Sequence, residues 1–530
     1  MSVLAACSGP AWPGSAYGSH PPSSTARPWY APPPLPAAVT RAPSAADTVL
    51  AETAPAALSA AFARTLFARA LIVVVAAPGG PALPAAEQAA RAARAPLLLA
   101  APAAPPAAAP AATTVSGPAT AQAAAEAASS ATTQLAASVR ALGPVAVLAA
   151  GLPAAELTEL AKLLPGVKLT TRAAALPATG TPAALRHVAV LVPAQEGAPS
   201  ASLAAVTATA RAAGAPVVAV NGGDPRADPA AITTLARLRP GKVVAVGAQF
   251  GPATQLASRV AVAETGRQLP GGGQVLFPGR RLVALYGHPG TYGLGVLGHQ
   301  DLAASITRAK QMAAAYRPLS RVPVVPAFEI IASVAEGSPG PDGSYSYETP
   351  VSELLPWVRQ ATADGLYVVL DLQPGRASLL TQAEHYQSLL TLPDVGLALD
   401  AEWKLQPGQR PLRQIGHVDI GEVNSVAGWL AALTARYDLP QKLLVLHQFQ
   451  LSMLTGERSL DTSRDDLSIV IHMDGQGTPG MKQSTWNAVT AAAPRGVSFG
   501  WKDFLVKDHP MLTPQETMTK SPTPVMISYQ

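Results

Sequence analysis

The feature that most narrows the possible folds lies in residues 281–530, where short apolar runs recur, most of them separated by a stretch of helix length. They are Leu282–Tyr286, Val324–Ile331, Leu366–Leu370, Val395–Leu399, Leu443–Leu446, Leu467–Ile471, Val497–Gly500 and Pro524–Ser528. Runs this short and this apolar suit strands buried on both faces, and intervening helices imply that such strands are parallel. Eight strand–helix units in about 250 residues is the size of a (β/α)8 TIM barrel. Glu353–Val358 and Val426–Tyr437 read as outer helices. No helix-length segment follows the eighth run, so its closing helix is expected to be missing or supplied by the segment before the first strand.

A chain of 530 residues is too long for one ordinary core, and the remainder reads as a second α/β region. Leu71–Ala76, Ala95–Leu99 and Val145–Ala149 are strand-like, and the order recurs in His187–Val192, Ala215–Val220 and Lys242–Gly247. A helix-forming stretch follows each strand, so residues 47–265 are expected to form duplicated, Rossmann-like parallel layers. The low-complexity Ala/Pro/Thr segment 101–134 interrupts the first copy only. Residues 266–280, with Gly271–Gly273 and two prolines, read as a hinge-like Gly/Pro linker. Residues 1–46, rich in Pro, Ser, Gly and Ala, read as a signal remnant and disordered tether.

Several classes of function are disfavoured at once. A net charge of +5 with no basic block gives no electrostatic footprint for nucleic acid. No Gly-x-Gly-x-x-Gly follows a strand, which argues against a dinucleotide cofactor. The single cysteine, Cys7, excludes a disulfide framework and any multi-cysteine metal site. No cofactor and no resident metal are expected.

The strand ends carry the chemistry. Tyr286 and His288 follow the first run, Glu329 lies in the second, and Asp371 and Gln373 follow the third. Asp400, Glu402 and Trp403 follow the fourth, His447 the fifth, His472 and Asp474 the sixth, and Trp501 the seventh. Polar groups at the carboxyl ends of barrel strands are where barrel enzymes keep their sites. Asp400 and Glu402, two residues apart, would leave one face of an extended strand together. Crowded carboxyls raise one another's pKa, so one can stay protonated near neutral pH, which is what glycoside hydrolysis asks of its acid. The expected roles are Glu402 as general acid, Asp400 as its electrostatic partner, and Asp371, Glu329 or Asp474 as base or nucleophile. Trp403 and Trp501 would be sugar-stacking platforms, with Tyr286, His288, Gln373, His447 and His472 as further contacts. Two alternatives stay open: a degenerate barrel that binds glycan without cleaving it, and a zinc hydrolase using His447, His472 and Asp474.

Resemblances sharpen the setting. The Ala95–Leu99 strand after its Ala-rich helix, the unit Leu142–Leu148 with Leu152–Leu160, and its repeat Leu238–Gly247 resemble type-2 cell-wall-binding repeats. Leu4-Ala5-Ala6-Cys7 resembles a bacterial lipobox, which implies lipidation of Cys7. Only six residues precede it, fewer than a signal peptide needs, so that reading places the true start further upstream; a chance cysteine is the alternative. The fourth-strand Asp-x-Glu resembles the strand ends of chitinase-type and bacterial muramidase-type barrels, whose glutamate is the acid. Ala398 and Val395 stand where the chitinase pattern has further aspartates, so substrate-assisted chitin cleavage is not supported. As a whole the chain resembles actinobacterial secreted proteins or lipoproteins that join a wall-binding region to a glycosidase-like barrel. The resemblance implies an extracytoplasmic protein, lipid-anchored to the membrane or wall-associated, whose partner is a cell-wall or extracellular polysaccharide.

Overall fold

The computed structural model describes residues 34–102, 118–195, 197 and 200–530. Cys7, most of the expected tether and residues 103–117 lie outside the described residues.

The carboxyl-terminal part is a closed parallel barrel of TIM-like form. Its strands are Arg281–Gly287, Val324–Ala335, Tyr367–Leu372, Val395–Asp400, Lys442–Gln448, Leu467–Met473, Ser498–Asp503 and Met526–Tyr529. Each pairs in parallel with the next, and the first pairs with the eighth (Leu282 opposite Met526), which closes the ring. Every expected run is a strand, but the strands extend further toward their carboxyl ends than hydropathy alone indicates, because those ends carry polar residues.

The outer helices include Leu302–Tyr316, Val351–Ala363, Ile420–Arg436 and Pro479–Ala492. Asp301, Asp419 and Thr478 cap three of them by accepting a backbone N–H, which satisfies donors the helix cannot. The helical ring is incomplete. The fifth-to-sixth connection holds 3-10 turns and the short strand Leu454–Thr455 but no α-helix, and the seventh-to-eighth only the four-residue helix Pro514–Thr517.

The segment before the first strand does not supply a closing helix either. Leu269, Leu276 and Phe277 enter the barrel from its amino-terminal end and pack with Leu282, Ala284, Val369, Leu443 and Met526. Arg280 donates to the carbonyls of Gly272 and Val275 at 2.5 and 3.0 Å and holds the plug together. This linker is therefore seated in the core, and its glycines serve the tight path there, Gly271–Gly273 all having positive φ.

The amino-terminal region contains two four-stranded parallel sheets with one strand order. The first runs Leu97–Leu99, Ile72–Ala76, Ala146–Ala150, Lys168–Thr170; the second runs Val217–Val220, Val188–Pro193, Lys242–Val246, Asp47–Leu50. The fourth strand of the second sheet is thus contributed from ahead of the first sheet. Residues 34–46, expected to belong to the tether, are held instead. The Leu35 N–H donates to the Ala178 carbonyl at 2.8 Å, and Val39–Thr40 pairs with Phe67–Arg69. Arg226 and Arg259 clasp Asp465 at 2.6 and 2.8 Å, joining this region to the barrel just before the sixth strand, at the end opposite the polar strand ends. Among the described residues no helix is long and apolar enough to cross a membrane.

Candidate functional site

Side chains alternate inward and outward along each strand. On the first strand Leu282, Ala284 and Tyr286 face in; on the third, Tyr367, Val369 and Asp371; on the fifth, Leu443, Val445 and His447. The lower layers are apolar and the last is polar, so the strands deliver a ring of buried polar groups to the carboxyl-terminal end. One glycine makes room in the lower layers and another in the polar ring. A Cβ on Gly396 would lie 3.0 Å from the Tyr367 hydroxyl, and one on Gly500 would lie 2.0 Å from His472 Nδ1.

At the centre of the ring His447 lies between two carboxylates. Nδ1 lies 2.9 Å from Asp474 Oδ2 and Nε2 2.9 Å from Glu329 Oε1, with Asp371 Oδ1 3.8 Å from Nε2. Ionised carboxylates can only accept, so a ring that meets one at each nitrogen donates from both and is an imidazolium. Burial opposes that charge, but Glu329 and Asp474 outweigh it and hold the His447 pKa well above its ordinary value. In return, burial notwithstanding, His447 keeps Glu329 ionised, its pKa pulled down to about 2. Asp474 is likewise held below its ordinary value, against burial, by the His447 hydrogen bond and charge. His472 stays neutral: burial lowers its pKa to about 3, and its Nε2 meets the Ser528 hydroxyl at 2.7 Å. Tyr286 donates to Asp371 Oδ2 at 2.8 Å and accepts from the Gln373 amide at 3.2 Å.

Above this layer is a cavity of about 300 Å³ that opens at the strand ends, lined by Tyr286, Gln373, Asp400, Glu402, Trp403, Asp474 and Lys502 among others. The fourth strand ends at Asp400, so alternation along an extended strand does not pair Asp400 with Glu402. A 3-10 turn, Ala401–Trp403, does so instead, and the Asp400 carboxylate caps it by accepting the Glu402 N–H at 3.3 Å. Asp400, Glu402 and Asp474 bring carboxylate oxygens within 4.8 Å of one another. Burial pushes Asp400 well above the ordinary carboxyl range, with Asp371, Asp474 and Glu402 adding to it. Burial and then Asp474 push Glu402 up to about 7. Burial raises Asp371 to about 6. Two of the cavity's carboxyls therefore hold protons near neutrality while Asp474 remains an anion, and Asp474 Oδ1 accepts no hydrogen bond from the described residues.

Of the residues expected from sequence, Tyr286, Gln373, Asp400, Glu402, Trp403 and Asp474 line the cavity. Glu329, Asp371, His447 and His472 lie beneath it as wholly buried support. His288 is not part of the site: the chain turns out of the strand at Gly287 (φ 149°), and His288 bonds Thr349 and the Gly290 N–H. Trp501 is not a platform either. It points outward from the seventh strand and packs with Met473, Trp486 and Leu512 behind the barrel wall. Its neighbour Lys502 faces in, 3.4 Å above the Tyr286 ring, one register position from the residue that the sequence points to. Lys507 and Gln476 also reach the cavity from loops, where hydropathy gives no signal.

The zinc set is not assembled, since both His447 nitrogens are taken by carboxylates. Among the described residues the one cluster suited to a metal is Asp400, Glu402 and Asp474, an all-oxygen set that fits a hard divalent cation. Comparison with family models, with curated proteins and with solved structures finds no significant match.

Proposed function

We propose that the barrel hydrolyses glycosidic bonds with retention of configuration, Glu402 acting as acid and then base and Asp474 as nucleophile. The observation that carries this reading is the unequal setting of two carboxyls at one cavity. Asp474 is charge-paired with His447 and ionised, whereas Glu402 has no ion-pair partner among the described residues and holds its proton near neutrality. Environments that drive two carboxyls apart in this way assign the acid and the anion. Attack by Asp474 on the anomeric carbon would form a glycosyl ester as the glycosidic C–O bond breaks, the leaving oxygen taking the Glu402 proton. Water would then cleave the ester, giving its proton to Glu402. Oxygens within 4.8 Å of one another suit this route, because inverting pairs stand about 6.5–9.5 Å apart to admit a water. Asp400, protonated, would sit beside them as a hydrogen-bond donor, and Trp403 would offer a stacking face.

The substrate we propose is a cell-wall or extracellular glycan, with residues 47–265 as the wall-binding part and Cys7 as lipid anchor. This rests on the sequence resemblances of those regions. The test is turnover of wall and extracellular polysaccharides by the full chain. Activity in the wild type, lost in Glu402→Gln and in Asp474→Asn, with a first product of unchanged anomeric configuration, is the expected result. An inverted first product would overturn the assignment of Asp474. Binding without turnover would favour a glycan-binding barrel. The carboxylate cluster favours a second reading, hydrolysis assisted by a hard cation, and loss of turnover on chelation with recovery on adding Mn²⁺ would select it.

A further inference from the structure

A second cavity, of about 310 Å³, adjoins the first, and Glu402, Trp403 and Ile415 line both. Its outer wall is the loop that carries Leu412, Arg413 and Gln414. Glu402 thus stands between two cavities. An acid that protonates the oxygen joining two sugars must stand in that relation to them, with one sugar on either side.

Each cavity also presents a cation. Lys507 lines the first and Arg413 the second, and neither makes a hydrogen bond or ion pair with any described residue. Other cations near the site are engaged. Lys502 lies over the Tyr286 ring, and Lys404 is paired with Glu422 at 2.8 Å. A guanidinium left open on a cavity wall is shaped for a two-point contact with a planar anion, and an ammonium serves as a point charge. The Asp474 anion on the cavity floor would repel an acidic ligand unless such cations offset it at the positions the ligand's acid groups occupy.

We propose that the barrel takes an acidic glycan, with a carboxylated or sulfated sugar on each side of the bond over Glu402, read by Lys507 in the first cavity and Arg413 in the second. The placement of one sugar per cavity rests on the hydrolase reading; the preference for acidic sugars does not.

Binding by the full-length Glu402→Gln chain tests it, using calorimetry with an oligouronate, a sulfated oligosaccharide and a neutral oligosaccharide of equal length. At least one acidic probe is expected to bind about tenfold more tightly than the neutral one. Adding Arg413→Gln or Lys507→Gln should each weaken the acidic probe by roughly fivefold and leave the neutral one unchanged. The tighter of the two acidic probes identifies the acid group. Equal affinity for neutral and acidic probes, no response to either substitution, or no binding of any probe would overturn the proposal. Because cleavage plays no part in this readout, acidic preference in a barrel whose wild type turns nothing over would sink the hydrolase reading alone. Turnover of a neutral polymer without acidic preference would sink this one alone.

Discussion

Along the fifth strand, Leu443 and Val445 point into an apolar plug, and His447, two residues on, points into a ring of carboxylates. The first and third strands make the same change, from Leu282 and Ala284 to Tyr286 and from Tyr367 and Val369 to Asp371. The lower barrel is held by volume: each side chain fills space beside its neighbours, and a conservative swap of similar size should be tolerated. The upper barrel is held by charge balance. Glu329, His447 and Asp474 are each costly to bury alone and are stable only as a set. One scaffold therefore keeps a tolerant half that closes the ring beside an exacting half that carries the candidate site.

That contrast can be broken most sharply at Glu402. Glu402→Gln is expected to lower turnover by about a thousandfold or more, while chemical denaturation shows a chain at least as stable as wild type near pH 8. Comparable stability loss and activity loss would mean that the upper ring is structural. His447→Ala should be the most damaging change to the fold, costing about 3–5 kcal/mol in denaturant unfolding, because it strands Glu329 and Asp474 without their counter-charge. A loss as small as a surface substitution gives would refute the charge-set account. Leu276→Ala, in the plug, should cost about 2–4 kcal/mol by leaving a cavity, with kcat/KM little changed.

The pH dependence sharpens the same comparison. Glu402 has its folded pKa raised from 4.5 to about 7, so the folded chain holds a proton there that the unfolded chain has released. Its contribution to stability is therefore largest below pH 4.5 and falls as pH rises through 7, by up to about 3 kcal/mol. Glu402→Gln should remove this part of the pH dependence, seen as a stability gain over wild type that grows between pH 5 and pH 8. A gain that does not change with pH would contradict the buried-acid reading. In activity, kcat/KM should decline above pH 7 as the acid deprotonates. The smallest expected effect on the fold is Trp403→Ala, below about 1 kcal/mol, since this residue is only partly buried; its effect should appear as weaker glycan binding.

Much of the barrel was legible because parallel strands buried on both faces leave runs such as Val395–Leu399 with nothing polar in them. The location of the candidate site was legible for a related reason: Asp400, His447 and Asp474 break those runs at one end. Three features were not. The plug reads as a linker because glycine and proline dominate 266–280, and composition does not report that Leu269, Leu276 and Phe277 converge in space. The inward face of the seventh strand depends on a single register choice, and the room His472 needs places Gly500 inside, hence Lys502 inside and Trp501 outside. Asp47–Leu50 is too short and too polar to stand out as a strand at all. Its place is set by Lys242–Val246, its partner almost two hundred positions away.

That last pairing bears on how the molecule is made. Asp47–Leu50 emerges from the ribosome before any other strand of the two sheets, yet the edge it docks on is among the last of them to be synthesised. At roughly 5–20 residues per second it would wait on the order of ten to forty seconds for that edge. The first sheet, whose strands come from one continuous stretch, can form during this interval. The second cannot be completed until nearly the whole amino-terminal region has been translated, so truncation before residue 242 would leave the earliest-made strand with nothing to join.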